Sequence, residues 1–272
     1  MERAKKRIAG LFLIFFMYSS AYAQDVYYVT FVKGDIKKSN AVKIKVGDKL
    51  LFQESVIFST KDCKLILLHP QKGRFVIEPG NVTKQPSGEY LGYIKNNLLP
   101  DIKKVRLSSR GKEDLESWFT TDTTINENLL FIGETRIFFD TTIFRIKDPA
   151  NDFFFLRYTA NQHKLFTNRL QVRKDTLVIH PSGFVFNDTL LPYGEEVFIA
   201  FVENYSTQKN TAEIAYFKPV SMSMAECKKI MQTIKKALGK NKEKVVEETF
   251  SLLYKNYGKP DMKVLEAIYD RL

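Results

Sequence analysis

Histidine and cysteine are the scarcest reactive side chains in these 272 residues, with three His and two Cys. His69 and His180 share a setting: "LILLHPQKGRFVI" and "LVIHPSGFVF" each carry an apolar strand into His-Pro, pass a glycine and resume an apolar strand. A matched pair of imidazoles invites a zinc or copper site. A proline closing a strand and a glycine in the next turn explain both stretches as hairpin loops, so no metal ligand is assigned. His163 falls in the turn Asn161-Gln162-His163. Cys63 and Cys227 lie 164 positions apart, one in a strand pattern and one on the inner face of a helix pattern. Two thiols cannot build a zinc cage. An oxidising compartment would permit one bridge between them, but their settings favour two separate buried thiols.

The remaining searches for chemistry return turns and surfaces. No G-x-S-x-G elbow, H-E-x-x-H helix or Cys-His context occurs, and the 13 glycines are scattered singly without a phosphate-binding spacing. Glu195-Glu196 and Glu247-Glu248 read as a strand entry and a helix surface, and paired carboxylates for glycoside hydrolysis meet only in space. Gly34-Asp35 and Gly47-Asp48 are flanked by alternating apolar residues, which makes them tight turns with an Asx-type bond. No catalytic residue and no cofactor is assigned on these grounds.

The chain opens with an address. "MERAKKRIAGLFLIFFMYSSAYAQ" runs from Arg3, Lys5, Lys6 and Arg7 through an apolar stretch, Ile8 to Tyr18, to Ala21-Tyr22-Ala23. Basic, apolar and A-x-A segments in that order form a secretory signal peptide, residues 1–23, with cleavage between Ala23 and Gln24. Eleven apolar residues fall short of the roughly 20 that span a bilayer. No later segment is apolar enough to cross, so the expected product is exported, periplasmic or secreted, without a transmembrane segment. Loss of the leader lowers the formal net charge from +11 to +8, since four basic residues and one acid leave with it. Outside the cytoplasm a basic surface meets anionic glycans, membrane surfaces or proteins rather than nucleic acid.

Beyond the leader the patterning is mainly β with a C-terminal α-helical segment. Over residues 24–80, "VYYVTFV", "VKIKV", "KLLF", "VIFST", "CKLILL" and "RFVIE" are short strands parted by turn residues, a small β-barrel or sandwich. Residues 81–128 read as a linker with short helices near Glu89 to Leu98 and Lys112 to Phe119, where Trp118 plugs a core edge. Over 129–219, "LLFIG", "TRIFF", "TIFRI", "FFFLRY", "RLQV", "TLVIH", "GFVF", "EVFIAFV" and "AEIAYF" recur about every ten residues, the cadence of an immunoglobulin-like antiparallel sandwich. "EVFIAFV" is apolar on both faces and marks a central strand. Residues 220–272 form a helical cap of two to three helices. Ser223 and Glu226 make a capping box, and Met224, Cys227, Ile230, Met231, Ile234 and Leu238 make one apolar stripe.

"VTFVKGDI", "VKIKVGDKL", "VIFSTKDCKLILL" and "GRFVI" together resemble the extracytoplasmic FecR-type β-domain, with its V-x-G-x-V opening and V-G-D strand-turn. The likeness covers about residues 26–79, and its order with the following sandwich is similar to that of exported bacterial proteins. It implies a non-enzymatic module and transfers no functional residue. The sequence thus points to a non-catalytic cell-envelope protein that binds or assembles with an envelope protein, an anionic glycan or a membrane surface. A glycan or cell-wall hydrolase and a sensor subunit are the alternatives. Candidate binding residues are Lys103, Lys104 and Arg106 in the linker and Lys228, Lys229, Lys235 and Lys236 on the first cap helix.

Overall fold

The computed structural model describes residues 25–79, 83–84, 90–94, 99–100, 115–119, 128–160, 164–186, 189–190, 196–207 and 210–272. The chain divides into two compact units, Met1–Ile102 and Lys103–Leu272. It is mainly β, with three helices at the C-terminal end.

The first unit holds β1 (Val26–Lys33), β2 (Ile36–Lys38), β3 (Lys49–Leu51), β4 (Ser55–Phe58), β5 (Lys64–His69), β6 (Gly73–Ile77), β7 (Thr83–Lys84), β8 (Tyr90–Tyr93) and β9 (Leu99–Pro100). One sheet has the order β3-β1-β5-β6-β9 and the other β2-β4-β8-β7. Tyr27, Val29, Ile36, Leu50, Val56, Phe58, Leu65 and Leu67 lie in one core. A bulge between Val29 and Phe31 resets the alternation of β1, so that Val32 rather than Phe31 packs against that core. Thr30, left at the bulge, donates its hydroxyl to the Ile66 carbonyl at 3.2 Å.

Three sequence expectations change in this unit. The stretch from residue 81, read as linker, supplies β7, β8 and β9, so the unit runs on to Ile102. The helix expected near Glu89 to Leu98 is a strand at Tyr90–Tyr93, because each of its residues pairs with β4 and Tyr90 fills the core. Sheet pairing of aromatic residues there outweighs a weak helical spacing. "VKIKV" also contracts, to an isolated bridge of Lys43 with Lys37, while Ile44 is buried.

The second unit opens with α1 (Leu115–Phe119), the described part of the helix expected near Lys112 to Phe119. It continues through β10 (Asn128–Ile132), β11 (Thr135–Phe138), β12 (Phe153–Ala160), β13 (Lys164–Arg169), β14 (Gln171–Arg173), β15 (Thr176–Ile179), β16 (Val185–Phe186), β17 (Thr189–Leu190), β18 (Val197–Glu203) and β19 (Asn210–Met222). Then come α2 (Met224–Leu238), α3 (Lys242–Asn256), β20 (Lys259–Pro260) and α4 (Met262–Tyr269). A six-stranded sheet, β13-β12-β18-β19-β10-β20, accompanies a three-stranded one, β11-β15-β14. Trp118, Phe119, Phe131, Phe154, Leu156, Leu177, Ile179, Phe184, Ile199, Phe201 and Phe217 build the core of this unit. β18 is central and pairs with both β12 and β19, as its two apolar faces require.

Two details differ from the sequence reading, and a third adds to it. The large sheet is mixed rather than wholly antiparallel, since β10 runs parallel to both β19 and β20. "TIFRI" is a turn, because the Asp140 carboxylate takes the N–H and the hydroxyl of Thr142, both at 2.7 Å, and thereby captures the backbone before a strand can form. The helical segment joins the sheet directly: β19 runs to Met222, and β20 returns between α3 and α4 to pair with Leu129 and Leu130. Gly258 makes that return possible. Its φ is +134°, and a Cβ there would lie 2.5 Å from the Asn128 carbonyl oxygen.

The capping box of α2 forms as expected, with the Glu226 N–H donating to the Ser223 hydroxyl at 3.2 Å and the Ser223 N–H to the Glu226 carboxylate at 3.2 Å. Cys227, Ile230, Met231 and Ile234 are buried. Met224, expected on the same stripe, is exposed because as the first helical residue it overhangs the end of the packed face.

Candidate functional site

The chemistry-bearing residues of the first unit are spent on its turns. The buried ring of His69 accepts two backbone N–H groups at Nδ1, from Gln71 and Lys72, each at 3.1 Å. Its Nε2 lies 3.3 Å from Asp25, and the same carboxylate holds Lys72. Both ring nitrogens are therefore engaged, and the imidazole fixes the β5–β6 hairpin instead of presenting a base. A hydrogen bond from Lys72 lowers the Asp25 pKa below the ordinary carboxylate value.

His180 belongs to the second unit, is exposed, and precedes a 3-10 turn, Pro181–Phe184. Among the described residues no group of three His, Cys, Asp or Glu could hold a metal ion. His163 lies outside the described residues.

The Gly-Asp turns are also structural. Gly34 has φ +83°, and a Cβ at that position would come within 2.5 Å of the Cys63 sulfur. Around that sulfur stand the Ser59 hydroxyl at 3.6 Å, the Thr60 hydroxyl at 3.4 Å and the Asp35 carbonyl at 3.7 Å. Burial pushes the Cys63 thiol up, but hydrogen bonds from Thr60 and Ser59 outweigh it and leave the pKa below the ordinary value. Burial pushes the Cys227 thiol up to about 12. Both cysteines are free and buried.

Of the candidate basic residues, Lys103, Lys104 and Arg106 lie outside the described residues, as do Ala23 and Gln24 of the leader junction. Lys228, Lys229, Lys235 and Lys236 fall on two adjacent columns of α2, since residues seven apart share a helical face. Lys229 and Lys236 are exposed, Lys228 and Lys235 half-buried. Lys235 is occupied within the fold, its ammonium 4.7 Å from the centre of the Tyr269 ring. Lys242, from the same lysine-rich run, pairs with Asp270 at 2.6 Å.

The large sheet carries a different surface. On β12 the residues Phe154, Leu156 and Tyr158 enter the core, so Phe153, Phe155, Arg157 and Thr159 face the other way. Phe198, Ala200 and Val202 do so on β18, and Phe153, Phe155 and these three form a separate apolar cluster. β19 adds Tyr216 and Glu213 in register with Phe198 and Ala200, and β13 adds Thr167 and Arg169 in register with Arg157 and Phe155. Rings follow one another across this outward face: Tyr205 to Phe153 at 5.4 Å, Phe153 to Phe155 at 6.4 Å, Phe155 to Phe198 at 6.2 Å, and Phe198 to Tyr216 at 4.9 Å. Two guanidiniums lie over the row, Arg169 at 4.2 Å from the Phe153 ring centre and Arg157 at 5.1 Å from that of Phe155. No protein-family model, curated protein or solved structure matches the chain.

Exposure runs along the margins of this face. Tyr205 is 59% exposed, Tyr216 57% and Leu165 57%, and Arg157 and Arg169 are exposed, while Phe155 beneath them is only 3% exposed. One buried carboxylate sets the Tyr205 end. Asp152 accepts the N–H groups of Lys147 at 2.8 Å and Asp148 at 2.9 Å on one oxygen and that of Asn204 at 3.0 Å on the other. Hydrogen bonds from the Asp148 and Asn204 backbone lower its pKa. The Tyr205 N–H then donates to the Asn151 carbonyl at 3.0 Å, which ties the β18–β19 loop to the loop before β12.

Sequence reasoning missed this face because it sought clustered charge and found lysines. The available signal was the second phase of "FFFLRY", Phe153, Phe155 and Arg157, beside that of "EVFIAFV".

Proposed function

We propose that this chain is an exported, non-catalytic protein of the bacterial cell envelope that binds a partner through the outward face of β12, β13, β18 and β19. The row of Tyr205, Phe153, Phe155, Phe198 and Tyr216 with Arg157 and Arg169 carries the reading. Tyr, Phe and Arg are the residues enriched where proteins bury surface against one another, and Lys is depleted there. In a chain with 31 Lys and 11 Arg, the cations laid over Phe153 and Phe155 are both Arg, which is a selective composition.

The strand order supports an immunoglobulin-type reading of the second unit. Counting β10 to β15 as first to sixth and β18 and β19 as seventh and eighth, the large sheet runs fourth, third, seventh, eighth, first, with the two-residue β20 added beyond the first, and the small one second, sixth, fifth. A variable-type sandwich has the same C′-C-F-G and B-E-D orders, with β16 and β17 here as an insertion. The leader-like order of basic, apolar and A-x-A segments over residues 1–23 supports export.

The test is expression of the full chain in a bacterial host with an envelope, followed by N-terminal sequencing and crosslinking in intact cells. The expected product begins at Gln24, and its crosslinks are lost on Arg157→Glu/Arg169→Glu. A cytoplasmic product that keeps residues 1–23, or crosslinks indifferent to both arginines, overturns the proposal.

A further inference from the structure

We propose that the partner presents an extended, carboxylate-bearing polypeptide segment, laid along the edge of β13 with acid side chains on Arg157 and Arg169. This deepens the binding reading above and rests on it.

β13 ends the large sheet, and β12 is its one strand neighbour among the described residues. It is paired with β12 from Arg169 to Lys164, has no proline and no bulge, and exposes Leu165, Thr167 and Arg169 outward. An edge of this length is a template for a further strand unless charge guards it. The guard here is of one sign: Arg169 on β13 and Arg157 beside it. That repels a second copy of a chain whose formal net charge, without residues 1–23, is +8 and admits an acidic one.

The spacing matches an extended segment. Arg169 stands opposite Phe155, which is two residues along β12 from Arg157, so the two arginine backbones, on neighbouring strands, are offset along the sheet by one two-residue repeat, about 7 Å. Acid side chains at alternate positions of a strand, Glu-x-Glu, recur at the same interval and on one face. Each guanidinium lies over a ring, and a guanidinium can take a carboxylate with two parallel N–H groups, which a lysine cannot do.

An acidic glycan fits less well. Sugars stack on open ring faces, and the Phe153 and Phe155 faces lie under guanidiniums, which leaves Tyr205 and Tyr216 at opposite ends of the row.

The experiment titrates the purified protein with a fluorescent, end-blocked octapeptide in which threonine and glutamate alternate. The comparisons are a peptide of the same composition with all its threonines before all its glutamates, the alternating peptide with proline replacing each threonine, and polygalacturonate. Saturable binding of the alternating peptide is expected, weakened about ten-fold or more by the segregated order, by proline, and by Arg157→Glu/Arg169→Glu. Lys228→Glu/Lys229→Glu should bind as the unaltered protein does. Arg157→Lys/Arg169→Lys keeps the charge and guards against a folding artefact, and it too should weaken binding, by loss of the bidentate fork. Absence of saturable binding, equal binding of the two peptide orders, or polygalacturonate binding that the double Glu variant abolishes would each overturn the proposal. Export is read separately from the N-terminus of the product, so its failure is distinguishable from this one.

Discussion

Loss of the Asp152 side chain should disturb the outward face without touching it. Its two oxygens accept three backbone N–H groups from two loops, and the residue is 3% exposed. A hydrogen bond to a charged acceptor contributes about 1.5–3 kcal/mol net, and three on one group do not add in full because water reaches part of the vacated space. Asp152→Ala should therefore destabilise the second unit by about 3 kcal/mol, roughly a 1 M fall in urea midpoint at an unchanged slope. Asp152→Asn is the sharper variant. An amide oxygen can keep Lys147 and Asp148, but its NH2 then faces the Asn204 N–H, so a cost of about 1–2 kcal/mol falls on the loop that carries Tyr205. Trp118, the sole tryptophan and part of the second unit's core, reports unfolding of that unit by fluorescence. The sign with pH follows from the lowered pKa. The unfolded chain protonates Asp152 near the ordinary value of 3.8, before the folded chain does, so its contribution is complete above about pH 4 and fades as pH falls through the lower folded value. The gap between the protein and Asp152→Asn should thus narrow on acidification below about pH 4, and the Asn204 amide should exchange faster in the variant at neutral pH. Equal midpoints at neutral pH, or a gap that widens in acid, would refute this account of the loop.

Gly258→Ala should cost about 3–5 kcal/mol, read by Trp118, because its Cβ would meet the backbone of Asn128 at 2.5–2.7 Å and β20 would have to leave β10. Gly239→Ala is the comparison: φ +83° with ψ −161° is a region that glycine alone favours, but nothing lies within 4 Å, so it should cost less, about 1–3 kcal/mol. Ser223→Ala removes the hydroxyl of the α2 capping box and should lower stability by about 1 kcal/mol, measured by the same unfolding curve. Both thiols should resist an aromatic disulfide reagent at pH 8 in the folded protein and react stoichiometrically in denaturant, with no mobility change on a non-reducing gel.

Period and punctuation carried the strand-rich body, the central place of β18 and the capped start of α2, since each depends on neighbours within a few residues. The long-range terms were hidden. β8 is a strand because β4 offers Tyr90 and its neighbours partners more than thirty residues away, and the local spacing of "EYLGYIKNNL" says nothing of that. "TIFRI" has every mark of a strand except the Asp140 side chain, which competes for its backbone from two residues upstream. β20 is two residues long, below the reach of any pattern, yet it joins the helical segment to the sheet. For the site, the residue types were visible and the face was not. Lysines cluster in sequence because a helix repeats them, whereas Arg157, Arg169, Tyr205 and Tyr216 are brought together by four separate segments.

The division of the large sheet's outward side gives the binding reading its physical basis. At one end Leu130, Ile132, Val220 and Met222 point away from the core and are buried, where β19 leads into α2 and α3 packs against β20. These are aliphatic side chains with no polar handle, and only a permanent cover suits them. At the other end the same side of the same sheet carries Tyr hydroxyls and guanidiniums laid over Phe rings. Such groups keep the apolar cluster dry while leaving their own polar ends in water. A surface of that kind is stable alone and loses little by being covered, since the guanidiniums are already ordered over their rings and have less side-chain freedom to give up on binding. The fold therefore buries within its own chain the half that could not stay open, and leaves open the half whose polar-tipped side chains tolerate water.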